Sequence, residues 1–323
     1  MRKVTVIIPT YNRAHLIHLT IDSFLKQSYP SDLYEIVVCN NNSTDSTEET
    51  INKFMDENPG RIKYIMEPRQ GVHYARNSAA KVTTGDILYF TDDDMIADVD
   101  LLVEIIKIFD LDSKVVSATG RVLPKWEVEP PKWVPKLCYN SLLSLNNPPE
   151  DLIISNNDCN IFSCHQAIKK DVFFQTGGFN PENTAGEWIG DGETGLNIKI
   201  KNFGYKFGYN GKSITHHIIP PQRMTQSYLN GRLANQGNCD SYTLYRKNKY
   251  SNIHLIYNIL KNAFLIMKRM LIFVLKFILG KKSWRISFAM IFYHINRIKY
   301  DVRLIMSDRW QAFVLKDDWL ITE

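Results

Sequence analysis

The first hundred residues alternate short apolar runs with amphipathic stretches, and the apolar runs end at polar clusters. Val4–Pro9, Tyr34–Cys39, Arg61–Met66 and Asp86–Thr91 have the length and composition of buried strands. Ala14–Gln27, Ser46–Asn58 and Gly71–Val82 have the spacing of helices. Strands separated by helices imply βαβ units and a parallel sheet. In such sheets ligands sit beyond the carboxyl ends of the strands. Three polar clusters fall there: Thr10-Tyr11-Asn12-Arg13, Asn40-Asn41-Asn42-Ser43 and Asp92-Asp93-Asp94. They are expected on one edge of one sheet.

The third cluster carries the most chemistry. Three adjacent carboxylates at the end of a buried strand repel each other and resist leaving water. A divalent cation would remove that cost, because hard cations take oxygen ligands and often arrive with a phosphate. The plainer reading is a solvated loop that caps a helix over Leu101–Phe109, where acids are ordinary.

The chain of 323 residues is long enough for one large domain or two, and its apolar and charged contents are those of a globular protein. Met1-Arg2-Lys3 runs straight into Val4–Ile8, too short for a signal-peptide core. Five scattered cysteines suit a reduced, cytosolic setting. Cys159, Cys164 and His165 have the spacing of half a zinc site, but no second pair matches it. The net charge of +5 hides an asymmetry. Residues 1–240 hold 24 Lys and Arg against 29 Asp and Glu, whereas residues 241–300 hold 12 Lys and Arg and no acid. A block of that kind calls for an anionic partner.

The stretch from about 120 to 185 is rich in Pro and Trp and is expected to be irregular. After it comes Gly190-Asp191-Gly192-Glu193-Thr194-Gly195, which spells a dinucleotide fingerprint without its context. No apolar strand precedes it, and no acid occurs between Glu193 and Asp240 to hold a ribose. Its acids matter more. Asp191 and Glu193 stand before a helix that includes Leu196, where a carboxylate either caps the helix or serves as a general base. His216-His217 follows the apolar stretch Tyr205–Ile214 and leads into Pro220-Pro221; imidazole is a common metal ligand.

Five segments in order, Val4–Arg13, Ile36–Asp45, Ala75–Asn77, Phe90–Asp94 and Gly190–Leu196 with Thr215–Thr225 behind them, resemble the family 2 inverting glycosyltransferases, of the kind that build bacterial cell-surface polysaccharides. The resemblance covers roughly residues 3–240. It implies the GT-A fold, an α/β architecture with a Rossmann-like, nucleotide-sugar-binding mixed sheet. By resemblance, Pro9, Tyr11 and Arg13 border the nucleoside of a sugar donor and Asn40 faces the base, with Arg76, Asp92 and Asp93 also on the donor. Asp92 and Asp94 form the DxD pair. Asp94 and His217 meet a divalent cation, Mg2+ or Mn2+, at the diphosphate. Glu193 takes the base position, with Asp191 as its rival. Where many relatives carry an acid this chain has Asn40, so a UDP-linked donor is the expectation that this position bears on most. The acceptor implied is a hydroxyl of a glycan or a lipid-linked sugar.

The expected organisation is a catalytic domain over 1–240, donor-binding to about 120 and acceptor-side beyond, then a helical basic and apolar extension over 241–323. Ile253–Leu279 reads as a helix with Lys261, Lys268, Arg269 and Lys276 towards one face, beside Asn258 and Asn262. Its central cations make it a poor membrane span and a better interfacial helix. The expected partner is an anionic membrane surface, with the protein peripheral on its cytoplasmic face; no nucleic-acid-recognition module is evident. The alternatives are a helix pair packed on the catalytic domain, a metal-dependent nucleotidyltransferase, and a non-catalytic nucleotide-sugar or membrane-binding protein.

Overall fold

In the computed structural model, residues 2–138, 142–182 and 189–321 are described. The expected strands and helices of the first hundred residues are present: β1 (Val4–Thr10), α1 (Ala14–Leu25), β2 (Tyr34–Asn40), α2 (Thr47–Glu57), β3 (Ile62–Met66), α3 (Val72–Lys81) and β4 (Ile87–Thr91). Their side chains alternate between two buried faces. Val4, Val6 and Ile8 pack with Ile36, Val38 and Tyr89 on one face, under α1, α2 and α4 (Leu101–Leu111). Ile7, Val37, Leu88 and Phe90 pack on the other, where Ala75, Ala79 and Ala80 let α3 approach closely. Burial on both faces is why these strands read as continuous apolar runs.

The sheet is mixed rather than wholly parallel, with strand order β3-β2-β1-β4-β8-β6-β9-β5 and β7 (Leu152–Ser155) pairing with β9. β1 to β4 are parallel to one another. β8 (His165–Lys169) joins β4 antiparallel. β6 (Val115–Trp126) and β9 (Lys206–Ile219) then run parallel to each other. This corrects in part the expectation of an irregular segment beyond residue 120: the region carries much of β6 and all of β7 and β8, while 127–132, 147–151 and 156–164 hold no strand or helix. Pro124 is tolerated because it lies past the stretch where β6 pairs with β8, so its missing N–H breaks no ladder on that side.

β5 (Met95–Ala97) follows the acid triplet and pairs antiparallel with β9, Met95 opposite His217. The Ile218 N–H donates to the Asp94 carbonyl at 2.9 Å. This pairing brings the two sequence-distant motifs side by side.

Beyond the sheet, α5 (Trp133–Leu137), α6 (Lys170–Gln175) and α7 (Gly192–Asn202) lead to four C-terminal helices: α8 (Gln226–Asn248), α9 (Asn252–Ile278), α10 (Trp284–Met306) and α11 (Asp308–Leu315). α8 runs unbroken through residue 240, so the change in charge there falls inside a helix, not at a linker. Tyr242, Tyr245, Leu255, Tyr300, Leu304, Trp310 and Val314 form a separate apolar cluster among these helices. The chain then returns to the sheet, where Leu320 packs with Phe173 and Phe179. Among the described residues no helix is long and apolar enough to cross a membrane.

Candidate active site

A cavity of about 330 Å³ opens at the carboxyl ends of β1 and β4. Its walls include Pro9, Tyr11, Arg13, Arg76, Asp92, Asp93, Asp94, Glu193 and His217. Asn40 and Asp191 do not line it.

The loops that frame it are tied to one another. Asn12, in the left-handed region at φ 53°, accepts from the Thr44 N–H through Oδ1 at 2.7 Å, and its own N–H donates to Ser43 Oγ at 3.0 Å. These bonds couple the β1 and β2 loops. Asn40 is buried in this framework: its Nδ2 donates to Tyr64 Oη and its Oδ1 accepts from the Ser43 N–H. Asn41, its neighbour, reaches the cavity and holds the Gly71 N–H at the start of α3.

Each carboxylate of the triplet meets a different partner. Asp92 is paired with the buried Arg76. Arg76 is in turn bonded to Ser163 Oγ at 2.8 Å and His73 Nδ1 at 3.2 Å. Asp93 accepts from Thr10 Oγ1 at 2.7 Å. Asp94 is held by Arg223 Nη2 at 2.9 Å and faces His217 Nε2 at 3.6 Å. Burial raises the pKa of all three, but their neighbours separate them. Burial and the charge of Asp94 push Asp93 up to about 7. At Asp94 burial is overcome by His217 and Arg223, which hold that carboxyl far below its ordinary range. At Asp92 burial prevails over Arg76, leaving it raised. The repulsion expected from the sequence is thus met by a separate partner for each carboxylate: Arg76 at Asp92, Thr10 at Asp93, and Arg223 with His217 at Asp94.

The donor set suits a divalent cation. Asp94 Oδ1 is buried with no hydrogen-bond donor against it. His217 Nδ1 donates to the Leu143 carbonyl at 2.9 Å, which fixes the ring and leaves Nε2 as an acceptor on the side of Asp94, where Arg223 Nη1 donates to it and a bound cation would have to displace that guanidinium. A carboxylate oxygen beside an imidazole nitrogen is a common metal pair. A second grouping lies across the cavity, where one ligand atom each of His73, Glu182 and Glu193 lie within 4.8 Å of one another.

Glu193 sits in the first turn of α7, behind the N-cap Asp191. Its Oε2 lies 3.5 Å from His73 Nε2 and accepts from Ser163 Oγ at 3.4 Å. Burial would raise its pKa, but His73 outweighs that and holds it below the ordinary value, so Glu193 is ionised. His73 is fully buried and stacked on Phe179 at 4.5 Å; burial lowers its pKa, yet Glu182 and Glu193 together leave it raised. Asp191 has other obligations. Its oxygens accept from Asn180 Nδ2 at 2.7 Å and Thr243 Oγ1 at 2.8 Å, fastening α7 to α8.

The glycines here serve this packing, not a dinucleotide. Gly192 has φ 50°, and a Cβ there would meet His73 Nε2 at 2.5 Å. A Cβ on Gly195 would meet Asp191 Oδ1 at 2.1 Å. The Cys159–Cys164–His165 spacing also proves structural. His165 is buried, bonded to Tyr89 Oη at 2.6 Å, and burial pushes its pKa down to about 4.

Five cavity residues were given no role from the sequence, Ser163, Glu182, Arg223, Tyr228 and Arg232, and neither was His73, buried behind Glu182. Arg223 stood inside a quoted motif, six residues after His217, and His73 one residue after α3 begins; either position could have signalled a role. Glu182 and Ser163 carry no local pattern.

Residues 5–177, more than half the chain, match the sequence model described as glycosyl transferase family 2. The glucosyl-dolichyl phosphate glucuronosyltransferase of Haloferax volcanii is 24% identical over 245 residues, 73% of this chain and 75% of that protein. Glycosyltransferase AglE of the same organism is 36% identical over 91 residues, 28% of this chain and 30% of its own length. The UDP-Glc:alpha-D-GlcNAc-diphosphoundecaprenol beta-1,3-glucosyltransferase WfgD of Escherichia coli is 38% identical over 92 residues, 28% of this chain and 34% of its own. The chain thus matches about a third of the length of the last two. Among solved structures, mannosyltransferase PcManGT of Pyrobaculum calidifontis, in complex with GDP-Man and Mn2+, superposes with a TM-score of 0.58 at 19% identity, covering 97% of this chain and 85% of that one. GalNAc-T7, with UDP, GalNAc and Mn2+, has a TM-score of 0.52 at 17% identity, covering 68% and 43%.

Proposed function

This chain belongs to glycosyl transferase family 2 and has the GT-A fold, and on that premise we propose that it moves a sugar, with inversion, from a UDP-linked donor to a hydroxyl of a glycan or lipid-linked acceptor in cell-surface polysaccharide synthesis. The observation that carries the reading is the meeting of Asp92, Asp94, Glu193 and His217 around one cavity, from three distant parts of the chain. The UDP-linked donor and the lipid-linked acceptor are in keeping with WfgD, whose name specifies both UDP-Glc and a diphosphoundecaprenol acceptor.

On this reading Pro9, Tyr11 and Arg13 border the nucleoside, and Asn40 acts through the loop it braces. Arg76 orients Asp92 towards the donor. Asp94 and His217 would hold Mg2+ or Mn2+, which offsets the charge of the departing nucleoside diphosphate. Arg223 stands beside both and adds a fixed positive charge at that end of the cavity. Glu193 is the general base. It lines the cavity in its ionised form, as a group that takes a proton from an acceptor hydroxyl must. Attack from the face opposite the leaving diphosphate inverts the anomeric centre. Residues 1–240 form the catalytic part, and 241–323 its extension at the cytoplasmic face of the membrane.

Family membership decides against the nucleotidyltransferase alternative. The intact acid and histidine set opposes a non-catalytic role. The test is a screen of nucleotide-sugars for binding and transfer with Mn2+ and with chelator. Donor binding should need the cation, and Asp94→Asn should abolish it with the fold intact. Equal donor affinity with chelator would overturn the cation reading. Loss of Mn2+ binding in Glu193→Gln but not in Asp94→Asn would move the cation to the His73–Glu182–Glu193 grouping.

A further inference from the structure

α9 forms the outer layer of the C-terminal helices, and the face it leaves most exposed is apolar, unlike that of a helix that meets water. Towards α10 it sends Leu255 and Phe273 together with polar groups. Asn262 is 3% exposed and its Oδ1 accepts from His294 Nδ1 at 2.8 Å. Lys276 Nζ donates to Ser287 Oγ at 3.1 Å. Arg269 is half-buried on the same side. This changes the expectation from the sequence, in which Arg269 and Lys276 helped to form the face offered to a partner. The face turned outward is apolar. Leu260, Phe264, Met267 and Leu271 are each at least 60% exposed, spaced three and four apart on one stripe. With Ile253 and Ile278 at its ends, the stripe runs the length of the helix, about 40 Å at 1.5 Å per residue. A continuous exposed apolar surface of this extent marks an interaction site.

Charge selects the occupant. Lys261 and Lys268 are exposed along one edge of the stripe, and no Asp or Glu occurs in residues 241–300. A second copy of this chain would set lysines against lysines. An anionic bilayer offers acyl chains to the stripe and opposite charge to its rim, and long lysine stems reach from one to the other. The tip of the α9–α10 hairpin extends the pattern. Phe273 packs against Phe277, Trp284 and Phe288 at ring separations of 5.9, 5.8 and 5.0 Å, beside the exposed Lys281 and Lys282. Aromatic and basic residues together suit the headgroup region. The tip is also tied to the start of α8: Gln226 Nε2 donates to the Arg285 carbonyl at 3.1 Å, two residues before the cavity-lining Tyr228.

We propose that the outer face of α9 docks this protein in-plane on an anionic lipid bilayer, with Leu260, Phe264, Met267 and Leu271 in the acyl region and Lys261 and Lys268 at the headgroups. Apolar insertion supplies most of the affinity, and charge supplies the choice of lipid. The inference deepens the reading of a membrane-linked acceptor and rests on it for its purpose, but docking itself requires no turnover.

The full chain is sedimented with phosphatidylcholine vesicles, with and without phosphatidylglycerol, at low and high salt. Wild type should bind anionic vesicles and retain part of that binding in high salt. Replacing Leu260, Phe264, Met267 and Leu271 together by Gln should weaken binding at least about tenfold. The pair Lys261→Gln and Lys268→Gln should weaken binding to anionic vesicles severalfold and reduce its salt dependence. All six positions are exposed and none lines the cavity, so transfer to a soluble acceptor analogue should be unchanged. If the fourfold variant misfolds, Met267→Glu alone serves, by placing an acid in the acyl region. Wild type that binds neither vesicle overturns the proposal. So does a fourfold variant that binds like wild type, or a dimer in solution that this variant dissociates. Docking without sugar transfer would fault the donor reading and leave the proposal standing; transfer without docking would do the reverse.

Discussion

α4 and α9 are both amphipathic helices rich in Leu, Ile and Phe, and they meet opposite fates. α4 buries Leu101, Leu102, Ile105, Ile106, Ile108 and Phe109 against the sheet. α9 buries Leu255 and Asn262 and turns most of its large apolar side chains outward. A hydrophobic stripe therefore identifies a face but not its destination. α4 has a complementary apolar sheet beneath it. α9 finds on α10 a row of polar groups, His294 and Ser287 among them, which its own Asn262 and Lys276 satisfy. Buried polar groups without partners are costly, so the face that carries Asn262 and Lys276 packs inward beside Leu255 and Phe273, and a wholly apolar stripe is left exposed.

The contrast can be broken in several places. The largest expected effect is a separation of chemistry from docking. Glu193→Gln should lose roughly two to four orders of magnitude in turnover and keep wild-type vesicle binding. The fourfold α9 variant should do the opposite on a soluble acceptor. Kinetics and sedimentation on both proteins check this, and a variant that loses both functions would join the two regions into one.

Next comes stability in the absence of lipid. Ile105→Ala, in a fully buried position of α4, should cost about 2–5 kcal/mol. Leu260→Ala on the exposed face of α9 should cost less than about 0.5 kcal/mol. Urea unfolding of the two proteins measures the difference. Similar losses would mean that the outer face of α9 is covered by protein.

Acid should act on the sheet through His165. His165 is buried beside Tyr89 with a folded pKa near 4, below its value in an unfolded chain. The unfolded chain therefore binds the proton more tightly. The contribution of His165 is intact above about pH 6.5 and is lost as pH falls towards 4, by on the order of 3 kcal/mol. Unfolding free energies measured from pH 7 to 4.5 should fall accordingly, and His165→Gln should flatten that part of the profile. An unchanged slope in the variant would assign the acid sensitivity elsewhere.

The smallest effect is expected at the turn into α7. Gly192→Ala places a Cβ against His73 in a left-handed backbone conformation, which should cost about 1–3 kcal/mol. It should lower turnover more than donor affinity, because His73 and Glu193 shift while the acid triplet does not. A fall in donor affinity alone would contradict that assignment.

Local periodicity was enough for the first half of the fold. β1, β2 and β4 lie within a residue or so of where their apolar runs predict, because a strand buried on both faces and stopped by a polar cluster leaves a signature in adjacent residues. The same logic put Tyr11, Arg13 and the acid triplet at one sheet edge, and the motif resemblance added Glu193 and His217. Other features had no local signature. Asp94 meets His217 through the β5–β9 pairing, a contact between residues more than a hundred positions apart. Glu182 reaches His73 from a loop with no periodicity at all. The surroundings of Asp191 and Glu193 differ only in three dimensions, where Asn180 and Thr243 occupy the oxygens of the first and the second lines the cavity. Most plainly, the residues of α9 determine that it has two faces, but what α10 presents, His294 and Ser287 beside Trp284 and Phe288, decided which of them would be buried. Periodicity is a property of neighbours along the chain, whereas burial depends on what the rest of the molecule presents to each face.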